Sequence, residues 1–166
     1  MKFSAFVVLL WAVSIFSPLP AAAQSDSTQQ QVASHAQKAA EYLRQKKPAL
    51  AAPEFKAIVE LEPDNVDARA NLGVLLFFQG KYTDAIPQLH EALKLNADLP
   101  KIQALLGIAE KRTGDLTAAR TDLQDAFPKV QDKKIRVETG MELVEVDSVI
   151  GDLGMAAEIV NVLRRL

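Results

Sequence analysis

Side chains that commonly carry chemistry are scarce in this sequence. It contains no cysteine and only two histidines, His35 and His90, so thiolate nucleophiles, thiolate metal sites and disulfides are excluded. His90 lies on an expected outer helix face, which indicates a solvated residue rather than a general base, and His35 is expected to be partly buried. The motifs GxSxG, HExxH, GxxxxGK[ST] and GxGxxG do not occur. We therefore expect neither an enzyme nor a bound cofactor.

One set of carboxylates has regular spacing. Glu138, Glu142 and Glu145 are four and three residues apart, so they line one face of a helix. A hard cation needs about six to eight oxygens around it, and one helix face does not supply them. A solvated or partner-facing surface is the favoured interpretation, and no metal site is expected. Two further acidic pairs are interpreted as surface and turn residues: Asp122 with Asp125, and Asp64 with Asp67.

Charge and composition restrict the class of protein. The 166 residues carry 19 Lys and Arg against 21 Asp and Glu, a formal net charge of −2. This balance excludes a strongly basic nucleic-acid binder, and no nucleic-acid partner is expected. Hydrophobic residues make up 49% and aromatic residues only 6%, which favours packed helices over a β-sandwich.

The N-terminal segment is typical of a secretory signal peptide. Lys2 precedes an apolar stretch from Phe3 to Phe16, and small residues follow up to Ala23. The apolar run is shorter than the roughly 20 residues of a membrane-spanning helix. We expect cleavage after Ala23, a disordered polar lead-in over 24–31, and a periplasmic or secreted location. An uncleaved membrane anchor is the alternative, and only in that case is a membrane contact expected.

The rest of the chain is internally repeated. A shift of 34 residues aligns the segments 32–65, 66–99 and 100–133 without a gap. A fourth unit, 134–166, aligns after three extra residues in a polar connection, where insertions cost little. The matches across units two and three are Leu72-Gly73 with Leu106-Gly107, Gly80 with Gly114, Thr83 with Thr117, Ala85 with Ala119, Leu89 with Leu123, and Ala92 with Ala126.

Apolar spacing within each unit predicts an antiparallel helical hairpin. In the second unit the first helix ends before Gly80, and Thr83 is expected to cap the second helix. Pro87 and its equivalent Pro53 are expected in the first turn of their helices, where a missing N–H costs nothing. The fourth unit is expected to form helices over about 135–150 and 155–166.

These motifs resemble the tetratricopeptide repeat, a helix–turn–helix of 34 residues. The resemblance implies an all-α fold, an α-solenoid of antiparallel hairpins wound into a right-handed superhelix. The chain departs from the family pattern early in each first helix, because His35, Arg69 and Gln103 replace a large aromatic residue. The second unit carries the match at Asn71-Leu72-Gly73, Gly80-Lys81-Tyr82, Ala85-Ile86, Leu89 and Ala92-Leu93; the first at Ala39, Tyr42, Ala51 and Phe55; the third at Leu106-Gly107, Gly114, Ala119, Leu123 and Ala126.

The resemblance also implies a binding surface, the concave wall lined by the first helix of each unit. We hypothesise that Phe77 and Phe78 form an aromatic patch on this wall, flanked by Arg44, Lys111 and Arg112. The patch would anchor an apolar side chain of a partner beside an acidic group. In the alternative, Phe77 packs between repeats and Phe78 alone is exposed. The candidate groove residues are Arg44, Asp67, Val74, Phe77, Phe78, Lys101, Ile108, Lys111 and Arg112, with Met141, Glu145 and Ser148 from the fourth unit.

A different binding mode of resembling proteins is not expected. Some of them hold a peptide's C-terminal carboxylate with a set of Lys, Asn and Arg side chains, and only Asn71 and Lys101 occupy matching positions here. The favoured function is therefore an exported, non-enzymatic scaffold that binds a protein or peptide segment. The alternative is the N-terminal module of a longer assembly factor or enzyme. A third hypothesis is self-association through an apolar C-terminal helix that carries Ile159, Val162, Leu163 and Leu166.

Overall fold

The computed structural model describes residues 21–165, with side chains from Asp26 onward. Over this range the chain forms helices and no strands. The helices are α1 Ala21–Arg44, α2 Pro48–Leu61, α3 Val66–Phe78, α4 Tyr82–Leu95, α5 Pro100–Thr113, α6 Leu116–Ala126, α7 Lys133–Ile150 and α8 Leu153–Leu163.

The helices pair in chain order into four hairpins. Each helix packs against the next one along the chain, and in addition α3 contacts α5 and α5 contacts α7. The first helices α3, α5 and α7 are thus neighbours along one wall, and the fold is an α-solenoid of helical hairpins. The predicted all-α fold class is confirmed, and the two helices of the fourth unit lie where the repeat predicts them.

The hydrophobic core lies largely at the junctions between successive hairpins. One cluster joins Ala51 and Ala52 of α2 to Leu72 and Leu75 of α3. A second joins Ala85 and Leu89 to Leu106, and a third joins the last two hairpins. Each unit therefore completes its core with side chains of its neighbour, as expected for stacked repeats.

Glycines in the first helices allow the two helices of a hairpin to approach closely. A Cβ atom on Gly73 would lie 2.6 Å from Cδ2 of Leu89, and one on Gly107 would lie 2.8 Å from Cγ of Leu123. Real Cβ atoms essentially never come this close. Glycine is thus required at these two helical positions despite its low helix propensity.

The positions where an aromatic residue was expected carry a polar contact instead. His35 Nδ1 lies 2.6 Å from Glu54 Oε2, the Arg69 guanidinium donates to Gln88 at 3.2 Å, and the Gln103 amide donates to Asp122 at 3.3 Å. The two partners are 19 residues apart in each case. The same cross-helix hydrogen bond therefore recurs in three successive hairpins.

Several local predictions differ from the structure. Helix α4 begins at Tyr82, so Thr83 lies inside it, and its N-cap Lys81 makes no side-chain cap hydrogen bond. Pro53 and Pro87 are in the second turn of their helices rather than the first. Each therefore removes one intrahelical N–H donor.

Residues 24–31, expected to be disordered, lie within α1. This segment is polar but contains no Pro and no Gly, so no residue in it breaks a helix. The predicted signal peptide, 1–23, lies outside the described residues except for Ala21–Ala23. Of the apolar residues expected to make α8 an exposed terminal surface, Ile159 is buried and Leu163 packs against the core, while Leu166 is outside the described residues.

Candidate functional site

The candidate groove residues lie on the first helices of three successive hairpins. Arg44 is on α1; Asp67, Val74, Phe77 and Phe78 are on α3; and Lys101, Ile108, Lys111 and Arg112 are on α5. The helices α3 and α5 are in direct contact. The structure therefore places the α3 and α5 members on two helices in direct contact.

The two adjacent phenylalanines have different environments. Phe78 is 75% exposed, whereas Phe77 is partly buried and packs against two of the core clusters. The Phe77 ring contacts Phe78 edge to face with centroids 5.4 Å apart, and contacts Tyr82 at 5.3 Å. Phe77 thus fixes the base of the patch, and Phe78 presents an aromatic ring to solvent.

The Lys111 cation, predicted to flank this patch, is already neutralised. The Lys111 ammonium lies 2.6 Å from Glu142 Oε2 and also binds Glu145. The Lys111 side chain is only 9% exposed. Hydrogen bonding to this ammonium lowers the pKa of the Glu145 carboxyl from its ordinary value. Two of the three regularly spaced acidic residues of α7, Glu142 and Glu145, therefore face the neighbouring repeat, with Lys111 as their partner.

The other two expected flanking cations are also paired. Arg44 donates two hydrogen bonds to Glu41 on its own helix, at 2.8 and 2.9 Å. The Arg112 guanidinium lies 3.5 Å from Glu142 Oε1. None of the three cations that were predicted to flank the patch is left without a carboxylate.

The remaining predicted residues divide between surface and core. Asp67 and Lys101 are exposed. Ile108 is buried in a core cluster, and Val74 packs against another. The prediction that Ile108 lines an open groove is therefore wrong for the free chain, because the last two hairpins enclose its side chain.

Two buried acids were missed by the sequence interpretation. Glu110 is 8% exposed, its Oε2 atom has no hydrogen-bond partner, and burial raises the pKa of its carboxyl to about 8, with Asp122 adding to the shift. Asp122 of α6, which was interpreted as a surface residue, is partly buried and accepts a hydrogen bond from the Gln103 amide of α5. The burial of Glu110 could have been predicted from the 34-residue repeat, because Tyr42 and Leu76 occupy the equivalent positions in the first two units.

The second buried acid joins three helices. Asp147 of α7 is fully buried, and its Oδ1 atom lies 2.7 Å from Arg120 Nε of α6 without forming a hydrogen bond. Arg120 also binds Asp152, which caps α8 by accepting from the Met155 N–H at 3.1 Å. Burial raises the pKa of Asp147, and the charge of Arg120 offsets this only in part. This contact is structural and joins the last two hairpins.

Catalytic and metal chemistry receives no support from the geometry. His35 contacts Glu54, and His90 lies exposed beside Glu91 at 4.0 Å. Across the described part of the chain, no group of three His, Asp or Glu side chains could hold a metal ion. No helix within residues 21–165 is both long and apolar enough to cross a membrane.

One cavity lies away from the aromatic patch. It has a volume of about 810 Å³ and runs between α2 and α4 over a floor from α3. Ala52 lies in its lining, where the next two units carry the larger Ile86 and Arg120. A smaller cavity of about 370 Å³ borders Met141, Glu142 and Glu145 on α7. The smaller one adjoins predicted groove residues, and a cavity of about 430 Å³ borders Arg112.

Comparisons with known proteins agree with this geometry. Residues 42–107 match the family model described as tetratricopeptide repeat. No protein of curated function matches the chain significantly in sequence.

Several solved structures share the fold. The second tetratricopeptide domain of human RPAP3, in complex with an HSP70 peptide, is 20% identical with a TM-score of 0.61, and the match covers 72% of this chain and 98% of that one. A MamA RS-1 double mutant is 17% identical with a TM-score of 0.71, covering 83% and 74%. A mutant Thermobaculum terrenum O-GlcNAc transferase is 20% identical with a TM-score of 0.58, covering 72% of this chain and 22% of that one. Residues 42–107 therefore match the tetratricopeptide repeat model, within a chain that folds as an α-solenoid of helical hairpins.

Proposed function

We propose that the chain is an exported, non-catalytic scaffold that binds a segment of a protein partner against its concave wall. The observation that carries this proposal is Phe78, which is 75% exposed on α3 while its neighbour Phe77 is held in the core. A large aromatic ring on a rigid base loses little conformational entropy on binding, and such residues commonly dominate interfaces. Peptide binding by RPAP3, a relative in fold, supports the same mode.

The test uses cross-linking and pull-down from the native envelope. We expect Phe78→Ala to lose most of the captured partner at unchanged thermal stability, because little of that ring is buried. Leu50→Ala is the matched control, since Leu50 is also exposed, at 48%, but lies on α2. Equal capture by the parent and the Phe78 variant would contradict the proposal.

Export has its own test. The mature protein is expected to begin at Gln24, because the small residues that end at Ala23 form a signal-peptidase site. N-terminal sequencing of the protein from its native source checks this. A mature chain that still begins at Met1 would exclude cleavage and favour the membrane-anchor alternative.

A second candidate is a module of a longer enzyme or assembly factor. The Thermobaculum terrenum transferase favours it, because this chain covers only 22% of that protein. The mass of the native protein separates the two candidates. A mass that exceeds the mature chain by a whole domain would support the module.

Self-association is a third candidate, and Leu153 favours it. This residue at the start of α8 is 68% exposed, whereas its equivalent Leu116 packs against the core cluster of the last two hairpins. Sedimentation at increasing concentration tests it. A second copy that covers this face gives a concentration-dependent dimer that Leu153→Ala weakens, and a monomer at every concentration excludes it.

A further inference from the structure

The charged side chains of α1, α5 and α7 indicate what kind of segment the concave wall accepts, given the docking mode proposed above. The ammonium of Lys111 is 9% exposed and enclosed by Glu142 and Glu145. Both carboxylates come from α7, one repeat further along the chain. They occupy the place that a partner's acidic group would otherwise take on this cation.

Arg112 and Arg44 lead to the same conclusion. Arg112 shares Glu142 with Lys111, and Arg44 is held by both carboxylate oxygens of Glu41. An acidic partner group would have to displace an internal carboxylate from a formed ion pair. It would also meet the negative charge of Glu145, which is 65% exposed.

Two apolar side chains of the first helices are strongly exposed: Phe78 is 75% exposed on α3 and Met141 is 62% exposed on α7. Met141 borders a cavity of about 370 Å³ together with Val137, and the charged residues Lys134, Glu138, Glu142 and Glu145 also line it. A flexible thioether beside an open cavity adapts to apolar side chains of different shape.

We infer that Glu142 and Glu145 act as internal carboxylates that mask the cations of the concave wall, so that it selects an uncharged, apolar segment and rejects an acidic one. Complementarity of this kind sets specificity largely by penalising the wrong partner.

The experiment compares two fluorescein-labelled, amidated peptides by anisotropy. In one, Leu and Phe alternate with Ser; in the other, Glu replaces each Ser. We expect the parent chain to bind the Ser peptide at least about tenfold more tightly than the Glu peptide. Equal affinity for the two, or no binding of the Ser peptide, would overturn the inference.

Removing the mask is the sharper arm. The double variant Glu142→Gln with Glu145→Gln keeps an acceptor oxygen for Lys111 but removes the negative charge. We expect about a tenfold gain for the Glu peptide and an unchanged affinity for the Ser peptide. Glu158→Gln is the matched control, because Glu158 is exposed on α8, does not line the cavity beside Met141, and forms no ion pair among the described residues. A double variant that behaves like this control would overturn the inference.

Phe78→Ala separates this inference from the proposed function. If both peptides bind the Phe78 variant as tightly as the parent, docking at the concave wall is wrong. If Phe78→Ala weakens binding but the parent shows no preference against the Glu peptide, docking stands and the charge mask is wrong.

Discussion

The ammonium of Lys111 on α5 lies 2.6 Å from the carboxylate of Glu142 on α7, which joins first helices of successive repeats. This pair is largely removed from water, since the two side chains are 9% and 17% exposed. Its partners therefore gain more from each other than a surface pair does, and each is costly to leave alone. The same contact that was expected to face a ligand thus stabilises the stacking of the last two hairpins.

Removing the cation should destabilise the fold. In Lys111→Ala, Glu142 and Glu145 lose their shared partner and repel each other. We expect a loss of about 1.5–3 kcal/mol in the free energy of unfolding, measured by urea denaturation. Lys56→Ala is the control, because Lys56 is 69% exposed and lies 3.8 Å from Glu60, so it should cost less than about 0.5 kcal/mol. Equal losses in the two variants would show that the Lys111 pair is no stronger than a surface pair.

A methyl group on Gly107 should force two helices apart. Its Cβ would lie 2.8 Å from Cγ of Leu123 and 3.0 Å from the Ala119 carbonyl oxygen. We expect Gly107→Ala to lose about 1–3 kcal/mol, and Gly107→Leu to lose more. Gly154→Ala is matched in chemistry and also helical, but its nearest contact would be 3.8 Å away. It should be neutral or stabilising by up to about 1 kcal/mol, and thermal melts compare the three variants. A tolerated Gly107→Leu would contradict the repeat register.

The first hairpin turn carries backbone strain that the others avoid. Lys46 has a φ of +57°, and the equivalent residues Gly80, Gly114 and Gly151 have φ of +75°, +94° and +95°. A side chain in this left-handed conformation costs about 1 kcal/mol relative to glycine. Lys46→Gly should therefore raise the free energy of unfolding by about 0.5–1 kcal/mol, whereas Gly114→Ala should lower it by a similar amount. Urea midpoints that move in the opposite directions would refute this.

Glu110 should make stability depend on pH. Its pKa rises from 4.5 to about 8 on folding, so the folded chain holds a proton that the unfolded chain has released between these values. This contribution is complete below about pH 4.5 and is lost as the pH rises through about 8, at up to about 1.4 kcal/mol per pH unit.

The Glu110→Gln variant tests this linkage. It keeps the size of the side chain but cannot ionise, so the slope should flatten, and near pH 9 the variant should be more stable than the parent by about 2 kcal/mol or more. Urea denaturation at several pH values measures the slope. Glu60→Gln, whose side chain is 66% exposed, is the control. If the pH dependence of the parent's stability persists in Glu110→Gln, it arises from another titratable group.

Much of the architecture was predictable because the repeat is periodic. The aligned Gly, Ala and Leu residues predict the helices and turns, because the same helix–helix contacts recur every 34 residues. The lead-in was missed because polarity alone does not prevent a helix. Thr83 failed as a cap because the preceding turn continues directly into α4, which begins one residue earlier.

The site was less predictable, because charge pairing between helices is not visible in one dimension. The exposure of Phe78 followed from its place in the repeat, beside Arg44 and Arg112 in equivalent positions. The partners of Lys111 lie 31 and 34 residues further on, across a connection whose length departs from the period. Only the folded structure shows that those carboxylates reach back to α5.

Because each core cluster spans a junction, the two ends of the stack differ in what holds them. Ala39 is the one buried residue among the described side chains of α1, whereas α5 buries six of its residues. Backbone amides in the first helix are thus expected to exchange with solvent through local opening, while those of α5 exchange only when the stack comes apart. The first helix is therefore expected to open locally while the packing of the C-terminal half stays intact. A partner that held α1 in place would have to offset the conformational entropy that this helix loses when it is ordered, which lowers the affinity.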